Sequence, residues 1–474
     1  MQDVNSQIVV DVIGTIFDSQ FQTVHTLRQS TYRQRREKLR ALREAILARQ
    51  DNIEAALYAD LHKSGEEARI TEIIPTLIEL KFAYRNLRRW MKLKRVKRAF
   101  PLLLAKSYIK YEPKGRVLII SPWNYPFHLS MVPLIAAVAA GNTVILKPSE
   151  FSTQTSRIVR EIVSSTFDER EVAVIEGGVE TAQNLLQKPF DHIFFTGSPE
   201  KGRLVMAYAA ENLSSVTLEL GGKSPVIIDE SADIRDAAEK IAWAKFLNAG
   251  QTCIAPDYVL VPGYLQTDFS DALKDAFRKF FAGDLTASSY ARIVSHKHYE
   301  RLNALIGDAI DRGAHVKGLG DYGNDDLFLP PVILTDVDLK SDVMSEEIFG
   351  PLLPLISVND TDEAIAVVNS LPKPLAMYIF GKDKRQIERV LERTSAGGTC
   401  INDCVVHLSN PHLPFGGVNN SGTGRYHGFH GFEELSHKRA VFKQSRLNVL
   451  KLIYPPYSKS KRFVIEFLLR YFSR

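Results

Sequence analysis

The chain has 474 residues, 45% hydrophobic and 24% charged, with a formal net charge of +5. That length accommodates roughly two to three domains and buries enough surface to need no disulfide or metal staple. Three cysteines, a sparse and odd number, exclude a secreted disulfide framework and point to a reducing compartment, while the small net charge excludes a global field for nucleic acid.

Met1–Asn5 lacks the basic start of a secretory signal. No run approaches the ~20 apolar residues that a spanning helix needs, so the body is expected in the cytoplasm. Residues 6–63 read as helix, with Val12, Ile13, Ile16 and Phe17, then Leu39, Leu42, Ile46 and Ile53, at helical spacing. Eight basic residues and no acid lie between Arg85 and Arg98. They make either a solvated helical face or a contact with an anionic surface.

From Gly115 the chain alternates. Strands are predicted at Arg116–Ser121, Thr143–Lys147, Val172–Glu176 and His192–Thr196, with helices at Met131–Ala140 and Ser152–Val163. This spacing implies right-handed crossovers and a parallel sheet covered on both faces. Ligands of such sheets collect at the carboxyl ends of the strands, where Pro122-Trp123-Asn124, Lys147-Pro148-Ser149-Glu150 and Gly197-Ser198 fall. A second series runs from near Ser224 to about Phe432, with strands at Pro225–Asp229, Tyr258–Val261, Val332–Leu334 and Ala376–Phe380.

Cys253 follows the predicted helix Ile234–Leu247, in Asn248-Ala249-Gly250-Gln251-Thr252-Cys253, and Glu219-Leu220-Gly221-Gly222-Lys223 lies upstream. A thiol among small residues and a carboxylate on a tight glycine turn supply a nucleophile and a base for water. Cys400 and Cys404 are four apart but no second Cys or His pair completes a set, so no metal is expected. Gly197-Ser198-Pro199-Glu200-Lys201-Gly202 departs from Gly-x-Gly-x-x-Gly, yet a helix starting near Pro199 can offer N–H groups to pyrophosphate. The tail from Lys451 to Arg474 holds six basic residues against Glu466, which accounts for the whole charge excess. Within it Lys461–Arg474 is an amphipathic helix candidate suited to a membrane surface or to a subunit interface.

In this order, Pro122-Trp123-Asn124-Tyr125-Pro126, Lys147-Pro148-Ser149-Glu150, Thr196-Gly197-Ser198, Glu219-Leu220-Gly221-Gly222-Lys223, Gly250-Gln251-Thr252-Cys253, Glu346-Glu347-Ile348-Phe349-Gly350-Pro351 and Pro414-Phe415-Gly416-Gly417 resemble the aldehyde dehydrogenase superfamily. Tyr426-His427-Gly428 and Tyr454-Pro455-Pro456 resemble its class 3, fatty-aldehyde-type branch. The resemblance implies an α/β fold: a Rossmann-like parallel-sheet cofactor domain, a second α/β catalytic domain and a small bridging β element. The expected divisions are 1–221 (with a bridging strand near 103–114), 222–432, 433–450 and a tail at 451–474.

It also implies NAD(P)-dependent oxidation of a medium- to long-chain aliphatic or aromatic aldehyde through a Cys253 thiohemiacetal and thioester. Glu219 would activate water, and the Asn124 amide with the Cys253 N–H would hold the oxyanion. Lys147 and Glu150 resemble the adenosine-ribose pair, Gly197, Ser198 and Gly202 the pyrophosphate contact, and Glu347 the nicotinamide-ribose contact, with Phe349 nearby. Glu150 favours NAD, because a 2′-phosphate would face a like charge; NADP stays open. Strands at Ala105–Pro113 and Ser436–Lys443 imply a homodimer, and the tail implies peripheral membrane contact. The alternatives are an acylating or phosphate-reducing semialdehyde dehydrogenase on the same fold, a cysteine hydrolase using His407 or His427, and a non-enzymatic NAD-binding protein.

Overall fold

The computed structural model describes residues 2–98, 100, 102, 104–281, 290–319, 327–446 and 449–473. Leu103 of the expected bridging segment and Arg474 of the tail lie outside them.

The chain opens with a helical layer rather than one helix over 6–63. Gln2–Arg28, Tyr32–Leu47 and Gln50–Leu61 are separate. The first break is a capping box: Thr31 accepts from the Gln34 N–H while the Gln34 side chain accepts from the Thr31 N–H. Ile13, Ile16 and Phe17 pack on the first sheet beside Leu118 and Ile120, whereas Val12 faces outward. Gly65–Ala68 and a π turn at Arg69–Ile73 lead into Ile74–Trp90.

The first sheet has the order Gly422–Thr423, Ser215–Leu220, His192–Gly197, Arg116–Ile120, Thr143–Lys147, Val172–Val174. The five longer strands are parallel and Gly422–Thr423 is antiparallel. In the central strand Val117 and Ile119 point into one core, Leu118 and Ile120 into another, as the two-residue period of a doubly covered strand requires. Strand order reverses beside Arg116–Ile120, which opens a crevice at the carboxyl ends.

The second sheet runs His315–Gly318, Val332–Thr335, Leu352–Val358, Tyr258–Pro262, Pro225–Ile228, Ala376–Phe380, Gly398–Ile401, parallel except for its first strand. Residues 422–432, expected with this second unit, and 433–435, expected with the bridging segment, join the first instead. Gly422–Thr423 extends the first sheet, and Tyr426, Phe432 and Leu435 sit in its core, because the helix Gly428–Glu434 packs against His128–Ala140. A third, antiparallel sheet pairs Lys94–Arg95 with Lys106–Pro113 and the latter with Ser436–Lys443 over its full length. Of the eight basic residues between Arg85 and Arg98 all are exposed, but only Arg85, Arg88 and Arg89 lie on a helix, which ends at Trp90.

Candidate active site

Residues at the carboxyl edge of the first sheet meet residues at the amino edge of the second. Asn124 follows Arg116–Ile120, Lys147 ends Thr143–Lys147, Gly197 ends His192–Gly197 and Glu219 is next to last in Ser215–Leu220. Cys253 stands five residues before Tyr258–Pro262, and Glu347 five before Leu352–Val358. Only Gly221, Gly222, Lys223 and Ser224 join Ser215–Leu220 to Pro225–Ile228, so one short link ties the two edges together.

Cys253 sits at the end of a tightly wound approach. The helix Ile234–Phe246 gives way to Leu247–Gly250, in which Asn248 and Ala249 have φ of 52° and 50° and Gly250 has φ of 75°. Non-glycine residues there cost about 1 kcal/mol or more each, so the surroundings must hold them. At Gly250 a Cβ would lie 2.2 Å from the Gly350 carbonyl oxygen, and only glycine allows that approach. Gln251 ties the loop down: its Nε2 donates to the Asn248 and Arg292 carbonyls at 3.0 and 2.9 Å, and its Oε1 accepts from the Val294 N–H at 3.0 Å.

Asn124 is buried, and its Nδ2 donates to the Gln251 carbonyl at 3.0 Å. An amide carries two N–H donors, and this bond uses one of them. Tyr125 Oη and Thr252 Oγ1 lie 2.6 Å apart and join the same two loops.

Glu219 is buried, on a strand end rather than the expected turn. Neither of its carboxylate oxygens has a hydrogen-bond partner among the described residues. Burial pushes its pKa well above the ordinary value, with the Arg425 charge opposing and Glu434 adding. Burial also pushes the Cys253 thiol up, and the Glu347 and Glu219 carboxylates add to it, while the N–H groups of Cys253 and Ile254 pull it down. Glu347 is raised to about 8, first by burial and then by Asp257; the Gly222 N–H, Lys223 and Arg301 act against this. One thiol and two carboxylates therefore act on one another where burial makes negative charge costly.

Lys147 and Glu150 close a 2.7 Å ion pair with the lysine buried. Ser198 caps the helix Pro199–Glu211 by accepting from the Lys201 N–H. The Gly202 N–H already donates to the Ser198 carbonyl, and a Cβ there would meet Leu220 at 2.7 Å; the missing side chain gives that helix its close seat on the Glu219 strand. Phe349, with φ of 50°, packs edge-on to Trp123 with ring centroids 5.3 Å apart.

Several contributors carry no role that the sequence motifs assign. Buried Lys223 donates to Asp257 at 2.6 Å and to the carbonyls of Val343 and Glu346 at 2.7 and 2.9 Å. Asp257 in turn accepts from the Ile348 N–H at 3.2 Å. Lys63, Glu67 and Glu72 of the N-terminal layer are buried and reach both catalytic loops. A charged residue in a helical stretch reads as surface until the partner 55 or more positions away is seen.

His427 Nδ1 lies 3.2 Å from Glu79, and His407, lowered to about 4 by burial, stacks on Phe415. Neither ring nitrogen of His407 has a hydrogen-bond partner among the described residues. Cys400 and Cys404 are buried, and among the described residues no group of three His, Cys, Asp or Glu side chains could hold a metal.

Comparison with known proteins agrees with this geometry. A model described as the Aldehyde dehydrogenase family matches residues 13–441. The chain is 45% identical to the 4,4'-diaponeurosporen-aldehyde dehydrogenase of Staphylococcus aureus over 91% of this chain and 94% of that protein. It is 42% identical to the aldehyde dehydrogenase family 3 member A2 of Mus musculus, over 94% of this chain and 92% of that protein. The structure of a substrate-bound state of Staphylococcus aureus AldH superposes with a TM-score of 0.92 at 43% identity, covering 96% of this chain and 99% of that one.

Proposed function

The chain belongs to the aldehyde dehydrogenase family, on its class 3-like branch, and oxidises aldehydes with NAD(P); from that premise we propose that Cys253 is the nucleophile, Glu219 the base for water, and Asn124 with the Cys253 N–H the oxyanion donors. The observation that carries this assignment is the buried, unpartnered Glu219 carboxylate acting electrostatically on the Cys253 thiol.

Cys253 Sγ adds to the aldehyde carbon, the carbonyl π pair moves to oxygen, and the thiol proton passes to a neighbouring carboxylate. That transfer keeps a single negative charge in the pocket, which suits groups whose pKa values burial has raised together. The second Asn124 N–H and the Cys253 N–H stabilise the oxyanion; one such donor is commonly worth about a hundredfold in rate. A nicotinamide cofactor held here would supply the hydride acceptor, and the carbon carried by Cys253, on losing hydride, would become a thioester. Glu219, its first proton released to solvent, takes a proton from water, the hydroxide adds to the thioester carbon, the C–S bond breaks with the Glu219 proton returning to the Cys253 sulfur, and the acid departs.

The residues present suit a nicotinamide cofactor. The Lys147–Glu150 pair stands at a strand end, Ser198 heads a helix of 13 residues, and Glu347 keeps one buried oxygen unpartnered. We assign Lys147 and Glu150 to the adenosine ribose, Gly197, Ser198 and the tightly seated helix at Gly202 to pyrophosphate, and Glu347 with Phe349 to the nicotinamide side. Glu150 makes NAD the preferred cofactor through like-charge repulsion of a 2′-phosphate. The boundaries 1–221 and 222–432 serve as working domain limits, less residues 422–432.

Substrates are medium- to long-chain or aromatic aldehydes, delivered at a membrane surface. Support comes from the tail helix Lys459–Phe472, none of whose residues is buried and whose Phe463 is 72% and Phe472 62% exposed. Phe100, at the end of the basic run, packs on Tyr471 at 4.9 Å, so aromatic and basic surface are continuous. Among the described residues no helix is long and apolar enough to cross a membrane. Two chains pair through the third sheet. The decisive experiment is Cys253→Ala: absorbance at 340 nm from aldehyde and NAD must vanish while NAD binding persists.

A further inference from the structure

The N-terminal helical layer reaches the catalytic loops with three buried charges. Lys63, fully buried, donates to Glu72 Oε1 at 2.6 Å and to the Asn124 carbonyl at 3.3 Å, and its ammonium lies 4.2 Å from the centre of the Tyr125 ring. The other oxygen of Glu72 accepts from the N–H groups of Phe127 and His128 at 2.9 and 3.2 Å. Glu67 accepts from the Asn248 N–H at 2.7 Å, where the backbone enters its left-handed pair. Asn248 then closes the circuit, its Nδ2 donating to the Asn124 and Gln251 carbonyls at 2.8 and 3.2 Å.

The π turn at Arg69–Ile73 begins two residues after Glu67 and contains Glu72. Its i→i+5 bonding turns residues five apart toward a common side, and such turns recur at functional sites. Buried Arg35 and Glu79 of the same layer reach the Ala139 carbonyl and the Gly428 N–H. Lys63, Glu67 and Glu72 instead cross from the helical layer to two loops, and each loop carries one of the oxyanion donors assigned above.

We propose that Lys63, Glu67, Glu72 and Asn248 form a brace that sets the spacing between the Asn124 amide and the Cys253 N–H. They are positioning residues: none supplies a bond to the substrate, and each acts through the placement of the two donors. The proposal rests on the oxyanion role given to Asn124. A misplacement of about 1 Å can cost about a hundredfold, so the brace acts on the turnover rate rather than on affinity.

The test measures aldehyde kcat and KM, NAD affinity and melting temperature for Glu67→Ala, Glu67→Gln, Asn248→Gly, Asn124→Ala and the double variants with Asn124→Ala. Glutamine keeps an acceptor for the Asn248 N–H. Glycine suits the left-handed backbone and removes only the side-chain brace, so Asn248→Gly reports even where Glu67→Ala does not fold. Expected are an about tenfold or larger fall in kcat for Glu67→Ala and Asn248→Gly, unchanged NAD affinity, and near-parental kcat for Glu67→Gln. In the Asn124→Ala background the same substitutions should cost less than about threefold, because the donor they place is gone. Parental kcat in Asn248→Gly, or full additivity with Asn124→Ala, overturns the brace. Parental activity of Asn124→Ala itself would instead overturn the oxyanion assignment, which keeps the two failures apart.

Discussion

Gly221 and Glu347 are in contact across the two sheet edges: a Cβ added to the glycine would lie 1.7 Å from the glutamate's carboxylate oxygen. The neighbouring Gly222 N–H bonds that carboxylate. The Gly-Gly pair after Glu219 therefore makes room for a second acid rather than shaping a turn for the first. Gly221→Ala should displace Glu347, raising KM for NAD about tenfold or more while leaving enzyme acylation at saturating NAD within about threefold. Stopped-flow single turnovers beside steady-state kinetics separate the two.

Glu219→Gln should split the reaction. A first turnover of NADH is formed as a burst, and steady-state turnover falls about 10²–10⁴-fold, the usual range for a lost general base. Because burial raises the Glu219 pKa, parental deacylation should climb with pH above the ordinary carboxylate range, and the variant should lose that limb. A Glu219→Gln enzyme with no burst and normal steady state would contradict the assignment.

Glu150→Gln should narrow the preference for NAD. With the negative charge gone and Lys147 retained 2.7 Å from the former carboxylate position, kcat/KM for NADP should rise relative to NAD by about tenfold. Measuring both cofactors at one ionic strength checks it.

Stability should fall between about pH 4.5 and about 8 through Glu347. Its folded pKa is raised to about 8, so in that window the folded chain retains a proton that the unfolded chain has lost, and raising pH favours unfolding. Glu347→Gln removes this dependence. Its melting temperature relative to the parent should be higher at pH 8 than at pH 5; an equal difference at both would refute the linkage.

A chain ending at Tyr457 should lose co-sedimentation with anionic liposomes and keep its activity on short soluble aldehydes. Full-length protein should bind less at high salt, since Lys451, Lys459, Arg462 and Arg470 of the tail and the basic residues of Arg85–Arg98 are solvent-exposed and screened. Equal sedimentation of both chains would remove the tail from docking.

Much of the fold was legible because its strands are short apolar runs bounded by turn residues. Thr143–Lys147, Ala376–Phe380 and Ser436–Lys443 were expected to the residue, and most other strands to within one or two. The helix over 6–63 was misjudged although its break carried a readable signal, the Thr31-to-Gln34 capping box. Periodicity continues across such a break and hides it. Gly422–Thr423 was not legible: a two-residue strand has no pattern of its own, and its partner lies some 200 residues earlier. The site residues were legible as motifs, since glycines and small residues cluster around Cys253 and Glu219. Lys63, Glu67 and Glu72 were not, because a charge on a helix becomes interior only once a distant loop closes over it.

The strand Ser436–Lys443 bonds to Lys106–Pro113 along one side, and among the described residues nothing bonds its other side. An open rim of eight residues invites any extended peptide, yet Lys438, Arg439 and Lys443 stand exposed along it. Lys438 and Arg439 are each paired with an acid, Glu433 at 3.1 Å and Glu112 at 3.3 Å, so the rim presents neutralised polar groups rather than a bare cationic stripe. Those eight residues thus supply an edge on which the pairing of two chains proposed above can add a strand, and masking charge with salt should leave that pairing in place.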